Sequence, residues 1–346
     1  MEFGLSEDQV LLQETVRRLV ADRIPLDLIR QVAQDDAAAT AGLAEEIGAL
    51  ALDGILVLET EGGAGLGVLD AVLVQECFGY GVVPARFLSN SVAAFALRDT
   101  SSGLGASIAS GQARFSLALN ERLSRRDGAG IRLADGNLTG RAMMVMDAAE
   151  ATHSLLWSDQ GLQVVAAPDA EPLQTIDRTR IFSKLEVDHE SLASIPDRAD
   201  MIFAVACVLL AADTLGAAQC MLDKAVAYAS ERKQFGRVIG SFQAVKHLCA
   251  EMAARLEPAR ALIWHAAHAI DTDDDEAIVM ACLAKAHLSE VGTFVARTST
   301  EVHGGMGFTD LVGLHYWFKR IGVNRQLLGS PMALRDLAAR HQDLVA

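Results

Sequence analysis

No two cysteines in this chain form a Cys-x-x-Cys pair. The five present (Cys77, Cys207, Cys220, Cys249 and Cys282) are odd in number and scattered, which reads as reduced thiols, mostly small core residues, in a cytoplasmic protein. Basic charge is also short, since 30 Lys and Arg stand against 45 Asp and Glu, a net charge of −15. Nucleic acid and anionic membrane both need a basic surface, so neither is expected as the main partner. An anionic ligand would need a local basic pocket. No secretory leader is visible, because residues 1–8 are acidic rather than basic and then apolar. Long apolar runs are missing too. The longest, residues 201–212, stops at Asp213, short of the roughly 20 residues a bilayer crossing needs, so no membrane span is expected.

What is present can build a large interior. Hydrophobic residues make up 51% of the 346 and charged residues 22%, which excludes general disorder and fits two or three packed subdomains. The composition changes twice along the chain. Residues 1–110 look helical. Ser6 followed by Gln9 is a capping-box pattern, and Val10, Val16, Leu19 and Val20 fall on roughly one face until Pro25. A second helix is expected over residues 41–51 and a third over 69–78. Between these lie the segment 54–59 and a glycine loop at 62–67. They have a strand–glycine–helix look, but the run does not give Gly-x-Gly-x-x-Gly and no second strand ending in an acid comes after it, so a turn with positive φ at several glycines is the better reading.

Residues 111–195 read as β, with short apolar runs at 114–119, 143–147, 154–157 and 162–167. Asp135-Gly136 is a hairpin signal. Ile181, Ser183, Leu185 and Val187 alternate on one face, and one modest antiparallel sheet or barrel is expected. Residues 196–346 are helical again and nearly free of proline, with long stretches at 200–230, 242–270 and 276–300 and shorter ones at 311–321 and 331–344. The acidic run 271–276 lacks the glycine and closing glutamate of an EF-hand and reads as a solvated turn capping the next helix. No Glu-x-x-His pair occurs after residue 196, so a di-iron bundle is not supported. The fold class is α+β and multi-domain.

Residues 231–243, Glu-Arg-Lys-Gln-Phe-Gly-Arg-Val-Ile-Gly-Ser-Phe-Gln, interrupt the helices with two glycines and a basic set. On the residues alone this is a helix–helix connector with glycine caps and cations complementing a helix dipole. It also resembles the Arg-x-x-Phe-Gly-x-x-Ile-x-x-Phe-Gln signature of acyl-CoA dehydrogenases. Residues 301–308, Glu-Val-His-Gly-Gly-Met-Gly-Phe, resemble that family's Gln-x-x-Gly-Gly-x-Gly-Phe/Tyr segment, and the stretch ending in Lys319-Arg320 resembles its Lys-Arg helix. Glu61-Gly-Gly-x-Gly65 extends the likeness to the whole chain. The resemblance implies an N-terminal helical domain (1–110), a middle β domain (111–195) and a C-terminal four-helix bundle (196–346) that forms oligomers. It also implies FAD as cofactor, an acyl-CoA substrate and electron-transfer flavoprotein as acceptor. Carried over by position, Arg232 matches the arginine that meets the FAD pyrophosphate across a subunit interface, where a guanidinium fork suits two phosphate oxygens. Phe235 matches an aromatic beside it, and Gln243 an amide at the adenine portion. Gly304 and Gly305 match backbone passing close to the cofactor. Glu301 stands where a glutamine is expected, and Ser330 fits the Gly-Thr/Ser just after the family's catalytic glutamate.

That glutamate is missing. Removing an α-proton needs a base held in a dry site, and the matching stretch Gln326-Leu-Leu-Gly-Ser330 places Leu328 there. Some relatives carry the base on the first long helix of the bundle, but that position falls at about Ala206. Asp213, two turns on, reads as a helix-surface or interface charge. The family's Thr-Glu-x-x-Gly-Ser-Asp loop against the flavin is replaced by Ala118-Leu-Asn-Glu121 and then Arg122-Leu-Ser-Arg-Arg126, and its Trp-Ile-Ser/Thr segment by Met144-Val-Met-Asp147. The departures favour a base-lacking subunit of a heteromeric acyl-CoA dehydrogenase, an α2β2 heterotetramer. A second acyl-CoA dehydrogenase-like chain would then supply the base and acyl pocket. Such paired subunits act in bacterial degradation of bulky acyl-CoAs, including steroid side chains. A self-sufficient dehydrogenase with a non-standard base, and a flavin-free scaffold subunit, remain the alternatives. Among the histidines, His303 is expected nearest the cofactor. Lys319, Arg320 and Arg325 could receive phosphate or simply finish a helix.

Overall fold

The computed structural model describes residues 4–40, 42–98, 100, 103–123, 126–166 and 169–345. Six helices come first: α1 (Glu7–Arg23), α2 (Leu26–Ala33), α3 (Leu43–Ala49), α4 (Val68–Gly81), α5 (Phe87–Leu97) and α6 (Leu104–Ala109). Ser6 caps α1 as expected. Its Oγ accepts from Gln9 N at 3.2 Å, while Gln9 Oε1 accepts from Ser6 N at 3.1 Å. Val16 and Val20 reach the core, but Val10 is exposed, so the buried stripe starts a turn later than the pattern suggests. The expected helix over 41–51 is the shorter α3, and Ala41 itself lies outside the described residues. The segment 54–67 is a chain of 3-10 turns without a strand, with Gly62 and Gly65 at φ +81° and +65°.

The sheet is built from β1 (Phe115–Ala118), β2 (Gly130–Ala134), β3 (Asn137–Met146), β4 (His153–Ser158), β5 (Gly161–Ala166), β6 (Asp169–Leu173), β7 (Phe182–Glu190) and β8 (Ala193–Ile195). Asp135 and Gly136, both at positive φ, turn β2 into β3. The order is β6-β7-β3-β1-β4-β5-β8, with β2 on β3. It is not purely antiparallel. β1 runs parallel to β4, because the β2–β3 hairpin is inserted between them and brings the chain back in its original direction. On β7, Ser183, Leu185 and Val187 are buried as expected, whereas Ile181 precedes the strand and is exposed. Ala167, at the end of one expected strand, lies outside the described residues.

The last part holds α7 (Ala199–Glu231), a small hairpin of β9 (Lys233–Gln234) and β10 (Arg237–Val238), then α8 (Gln243–Asp271), α9 (Ala277–His303), α10 (Leu314–Asn324) and α11 (Pro331–His341). α7 and the helix that begins at Ala277 are long and apolar enough to cross a membrane by composition. Length is therefore no argument against a span; what speaks instead is that 94% and 61% of their most apolar windows are buried inside the protein. In the acidic turn after α8, Asp274 Oδ1 accepts from the N–H of Glu276, the residue that precedes α9, at 2.8 Å, and the run also serves a second helix. Asp271 accepts from Val68 N at 2.6 Å and Leu69 N at 3.0 Å, capping α4, a helix distant in sequence but packed beside α8.

α4 and α7 cross with their backbones almost touching. A Cβ on Gly216 would stand 1.8 Å from Glu76 O, and one on Gly79 would stand 2.1 Å from Asp213 O. One continuous core runs from Val16 through the sheet to Ala338, and a smaller cluster including Leu138, Leu156 and Leu185 lies apart from it. Cys77, Cys207, Cys220 and Cys282 are buried thiols and Cys249 is partly so, in line with their reading as core residues.

Candidate active and cofactor site

Leu328 sits in the corner between α10 and α11. Its backbone is left-handed at φ +57°, and the residue is 1% exposed. Its N–H donates to Asn120 Oδ1 at 2.8 Å. Asn120 lies just after β1, in a 3-10 turn over Asn120–Arg122, and its Nδ2 donates to Met144 O at 2.9 Å. Met144 is itself at φ +55°, where the register of β3 shifts between Ala142 and Val145, as at a β-bulge. One buried amide therefore ties together the loop 118–126, the segment 144–147 and the corner at 328. Glu121 adds a second tie, its Oε1 accepting from Met143 N at 2.8 Å. Burial pushes this carboxyl up, and its Oε2 has no partner. Gly329, at φ +105°, leaves just enough room for Leu123, which would lie 3.0 Å from any added Cβ. Ser124 and Arg125, in the middle of this loop, lie outside the described residues.

Arg122 comes next on the same turn. Its guanidinium carbon lies 4.5 Å from the Trp157 ring centroid on β4 and 4.8 Å from that of Phe203 on α7. Nη1 pairs with Asp200, in the first turn of α7, while Nε has no partner. His341 on α11 approaches the same aspartate at 3.6 Å. Ala206 is fully buried one turn beyond Phe203, so neither position matched to the family's base carries an ionisable group.

Asp213 is not the surface charge expected from the sequence. It is fully buried, with both oxygens occupied. Oδ1 accepts from Gln75 at 2.8 Å and from Arg320 Nη2 at 2.7 Å, and Oδ2 accepts from Arg320 Nε at 2.9 Å and from Asn324 at 2.7 Å. Burial alone would raise this carboxyl, but Arg320 and its neighbours hold it down at about 2. A carboxylate so satisfied cannot serve as a base near neutral pH. Arg320, committed to this pair, is likewise withdrawn from any phosphate-receiving group. Lys285 lies close to this network. It is buried, donates to Asn324 O at 2.9 Å and Ser289 Oγ at 3.1 Å, and is pushed down to about 8 by burial.

The residues matched to cofactor binding lie on another face. Arg232, Phe235 and Gln243 are exposed on the β9–β10 hairpin and the start of α8. Phe235 is 92% exposed at φ +52°, edge-on to Phe242 at 6.2 Å, and the Arg237 guanidinium lies 4.0 Å from the Phe242 ring. Glu301 is exposed on α9. Gly304 and Gly305 are exposed after it, with nothing within 4 Å of an added Cβ. Ser330 caps α11, its Oγ accepting from Ala333 N at 3.3 Å. His303 turns inward instead. It is buried, stacked on Tyr228 at 4.6 Å and bonded to Ser299 O at 2.8 Å. Asn120 and Arg122 are the residues that sequence reasoning undervalued. The altered loop signalled them, but it read as a loss of flavin contacts and not as a set of new ones.

Over residues 6–101 the chain matches the model of the acyl-CoA dehydrogenase N-terminal domain, and over 198–342 that of the C-terminal domain. It is 32% identical to acyl-CoA dehydrogenase IpdE2 of Mycobacterium tuberculosis, covering 94% of each chain. It is 31% identical to IpdE2 of Mycolicibacterium smegmatis, covering 97% of this chain and 99% of that one. Among solved structures, the Tcur3481–Tcur3483 steroid ACAD, in a variant form, superposes with a TM-score of 0.87 at 26% identity over 97% and 98% of the two chains. The ChsE4–ChsE5 complex of Mycobacterium tuberculosis shares the fold, with a TM-score of 0.88 at 24% identity over the full length of both. With the helical–β–helical order and the two motifs where the family has them, these likenesses settle its kinship: the chain belongs to the acyl-CoA dehydrogenase family.

Proposed function

We propose that this chain is the base-lacking subunit of a heteromeric, FAD-dependent acyl-CoA dehydrogenase, and that it lends Arg232, Phe235 and Gln243 to a flavin seated mainly in a partner chain. The observation that carries this reading is the contrast between the two faces. The corner matched to the catalytic base holds a buried leucine whose N–H is already bonded to Asn120. The residues matched to the pyrophosphate and adenine end are exposed, and the Arg232 side chain has no hydrogen-bond or ion-pair partner among the described residues.

The chemistry of the two donor sets separates in the same way. A free guanidinium fork, an exposed aromatic and an exposed amide suit a pyrophosphate and a nucleobase. The turn at 120–122 does not suit the ring end, because the Asn120 amide and the Arg122 guanidinium are committed to bonds within the protein. FAD, when bound, accepts the hydride of α,β-desaturation. This chain's own part in that reaction is to hold one end of the cofactor and to close the interface around it. The relatives' names point to the same setting. The Tcur3481–Tcur3483 structure pairs two chains and is a steroid ACAD, so a bulky acyl-CoA is the proposed substrate class and a second acyl-CoA dehydrogenase-like subunit, as α2β2, the proposed partner. Electron-transfer flavoprotein is the proposed acceptor.

One observation favours a self-sufficient enzyme instead. Glu121 is a buried carboxyl pushed up by burial, with one oxygen unpartnered, on the loop next to position 328. Both readings are tested by anaerobic titration of the purified chain with a panel of acyl-CoAs, monitoring flavin absorption. The partner reading expects a colourless or inert chain alone and bleaching after co-expression with a dehydrogenase-like neighbour. Bleaching of the chain alone, abolished by Glu121→Gln, would overturn it in favour of the second.

A further inference from the structure

We infer that Arg122 is a built-in occupant of this chain's own ring cleft, so that the cleft is closed by a side chain and not merely short of contacts. The inference rests on the partner-subunit reading and adds a device to it. Three observations converge on the device. First, the guanidinium is a flat cation lying against two aromatic rings from different walls, Trp157 of the sheet and Phe203 of α7, at 4.5 and 4.8 Å. Aromatic faces attract a planar cation, the more so where water is excluded. Second, the cation is fixed from outside the slot by Asp200, and its side chain is only 11% exposed. Third, the turn that carries it cannot swing away as a free loop. Asn120 bonds Met144 O and Leu328 N from one side chain, Glu121 bonds Met143 N, and Leu123 fills the space over Gly329. The Asn120 bonds anchor the turn in a buried setting, where unpaired amide groups are costly, so removing the Arg122 side chain empties the space between the two rings while the backbone around it stays in place.

Two concavities among the described residues lie elsewhere. One, of about 730 Å³, is on the sheet around Arg141 and His189, and one, of about 290 Å³, lies between Leu11 and Leu52. Neither touches Arg122 or Leu328.

The test uses the full chain and lumiflavin, the flavin ring without its ribityl and adenylate parts, so that Arg232 and any partner play no role. Binding is read by fluorescence quenching. The wild-type chain is expected to leave lumiflavin unquenched. Arg122→Ala, which removes the occupant, is expected to bind it at least about tenfold more tightly than wild type. Asp200→Asn, a change at a half-exposed side chain that frees the cation without touching the slot, is expected to give a smaller gain, and it keeps the test open if Arg122→Ala fails to fold. A wild-type chain that is colourless and inert to acyl-CoA while neither variant gains lumiflavin would overturn the closure and leave the partner reading standing. A wild-type chain that binds lumiflavin as well as Arg122→Ala, and whose flavin is bleached by a substrate, would overturn both.

Discussion

Arg320 on α10 clasps both carboxylate oxygens of Asp213 on α7, Nε to Oδ2 at 2.9 Å and Nη2 to Oδ1 at 2.7 Å, with neither side chain reaching solvent. Gln75 of α4 and Asn324 complete the shell, and Arg180, from the segment before β7, approaches at 3.9 Å. The pair thus lies where the first helices, the sheet connection and the final bundle meet. Removing one member of such a pair leaves a buried charge without its counter-ion.

The pH dependence of stability is set in part by the carboxyl of Asp213. Folded, it titrates at about 2, against about 3.9 unfolded. It therefore binds fewer protons in the folded state, and its contribution is full above about pH 4 and lost as the pH falls from there towards 2. Asp213→Asn is expected to cost roughly 3–5 kcal/mol at pH 7 and to flatten the fall in stability across that window. Urea midpoints at pH 7, 4 and 3 for both proteins check this. Identical slopes would show that the pair is not what couples folding to acid.

Gly216→Ala tests the α4–α7 crossing. The new Cβ would stand 1.8 Å from Glu76 O, so the helices must part. A loss of about 1–3 kcal/mol or more is expected, whereas Gly48→Ala, with nothing within 4 Å, should be near neutral. Thermal melts of the two variants decide the matter.

Arg232→Ala should leave the isolated chain within about 0.5 kcal/mol of wild type, since the side chain is exposed and makes no contact that would be lost. In the co-expressed complex it should weaken FAD retention by about tenfold to a hundredfold, the worth of a charged hydrogen-bonded contact. Flavin absorbance per complex after gel filtration is the readout. Full retention would remove Arg232 from the cofactor site.

Phe235→Gly separates folding from assembly. Phenylalanine at φ +52° is strained, and glycine relieves roughly 1 kcal/mol of that. The isolated chain is expected to be as stable as wild type or slightly more so, while co-purification with the partner falls. If both are unchanged, the exposed ring has no part in the interface.

Leu328→Glu restores the missing carboxylate in name only. The side chain would be buried beside Asn120 and Leu123, so a loss of roughly 2–4 kcal/mol from lost packing and desolvation is expected, with no dehydrogenase activity in the chain alone. Flavin bleaching by an acyl-CoA in this single variant would show that the cleft is open.

Much of the fold was legible because it depends on local rules. The Ser6–Gln9 capping box, the Asp135-Gly136 turn, the glycine turn at 62–67 and the three long helices each come from neighbours in sequence whose geometry admits few alternatives. The two family motifs were legible for the same reason, being contiguous. The lack of a carboxylate at position 328 was legible because leucine cannot accept a proton wherever it sits. Less accessible was anything set by a partner far along the chain. The run 271–276 was expected to cap the next helix, and nothing local signalled that its first residue, Asp271, also caps α4 about 200 residues away; the parallel pairing of β1 with β4 likewise depends on where an inserted hairpin returns the chain.

The sequence alone determined the order of helical and β regions, the acidic balance of charge, the family motifs and the absence of a carboxylate at positions 328 and 206. Only the tertiary structure decided that Asp213 is a buried ion pair, that Asn120 bonds both Met144 O and Leu328 N, and that Arg122 lies against Trp157 and Phe203. Charge and size are properties of a residue, but burial and partnership belong to the neighbours that folding brings to it. The same aspartate is a solvated surface group or a core anchor according to whether Arg320 arrives beside it.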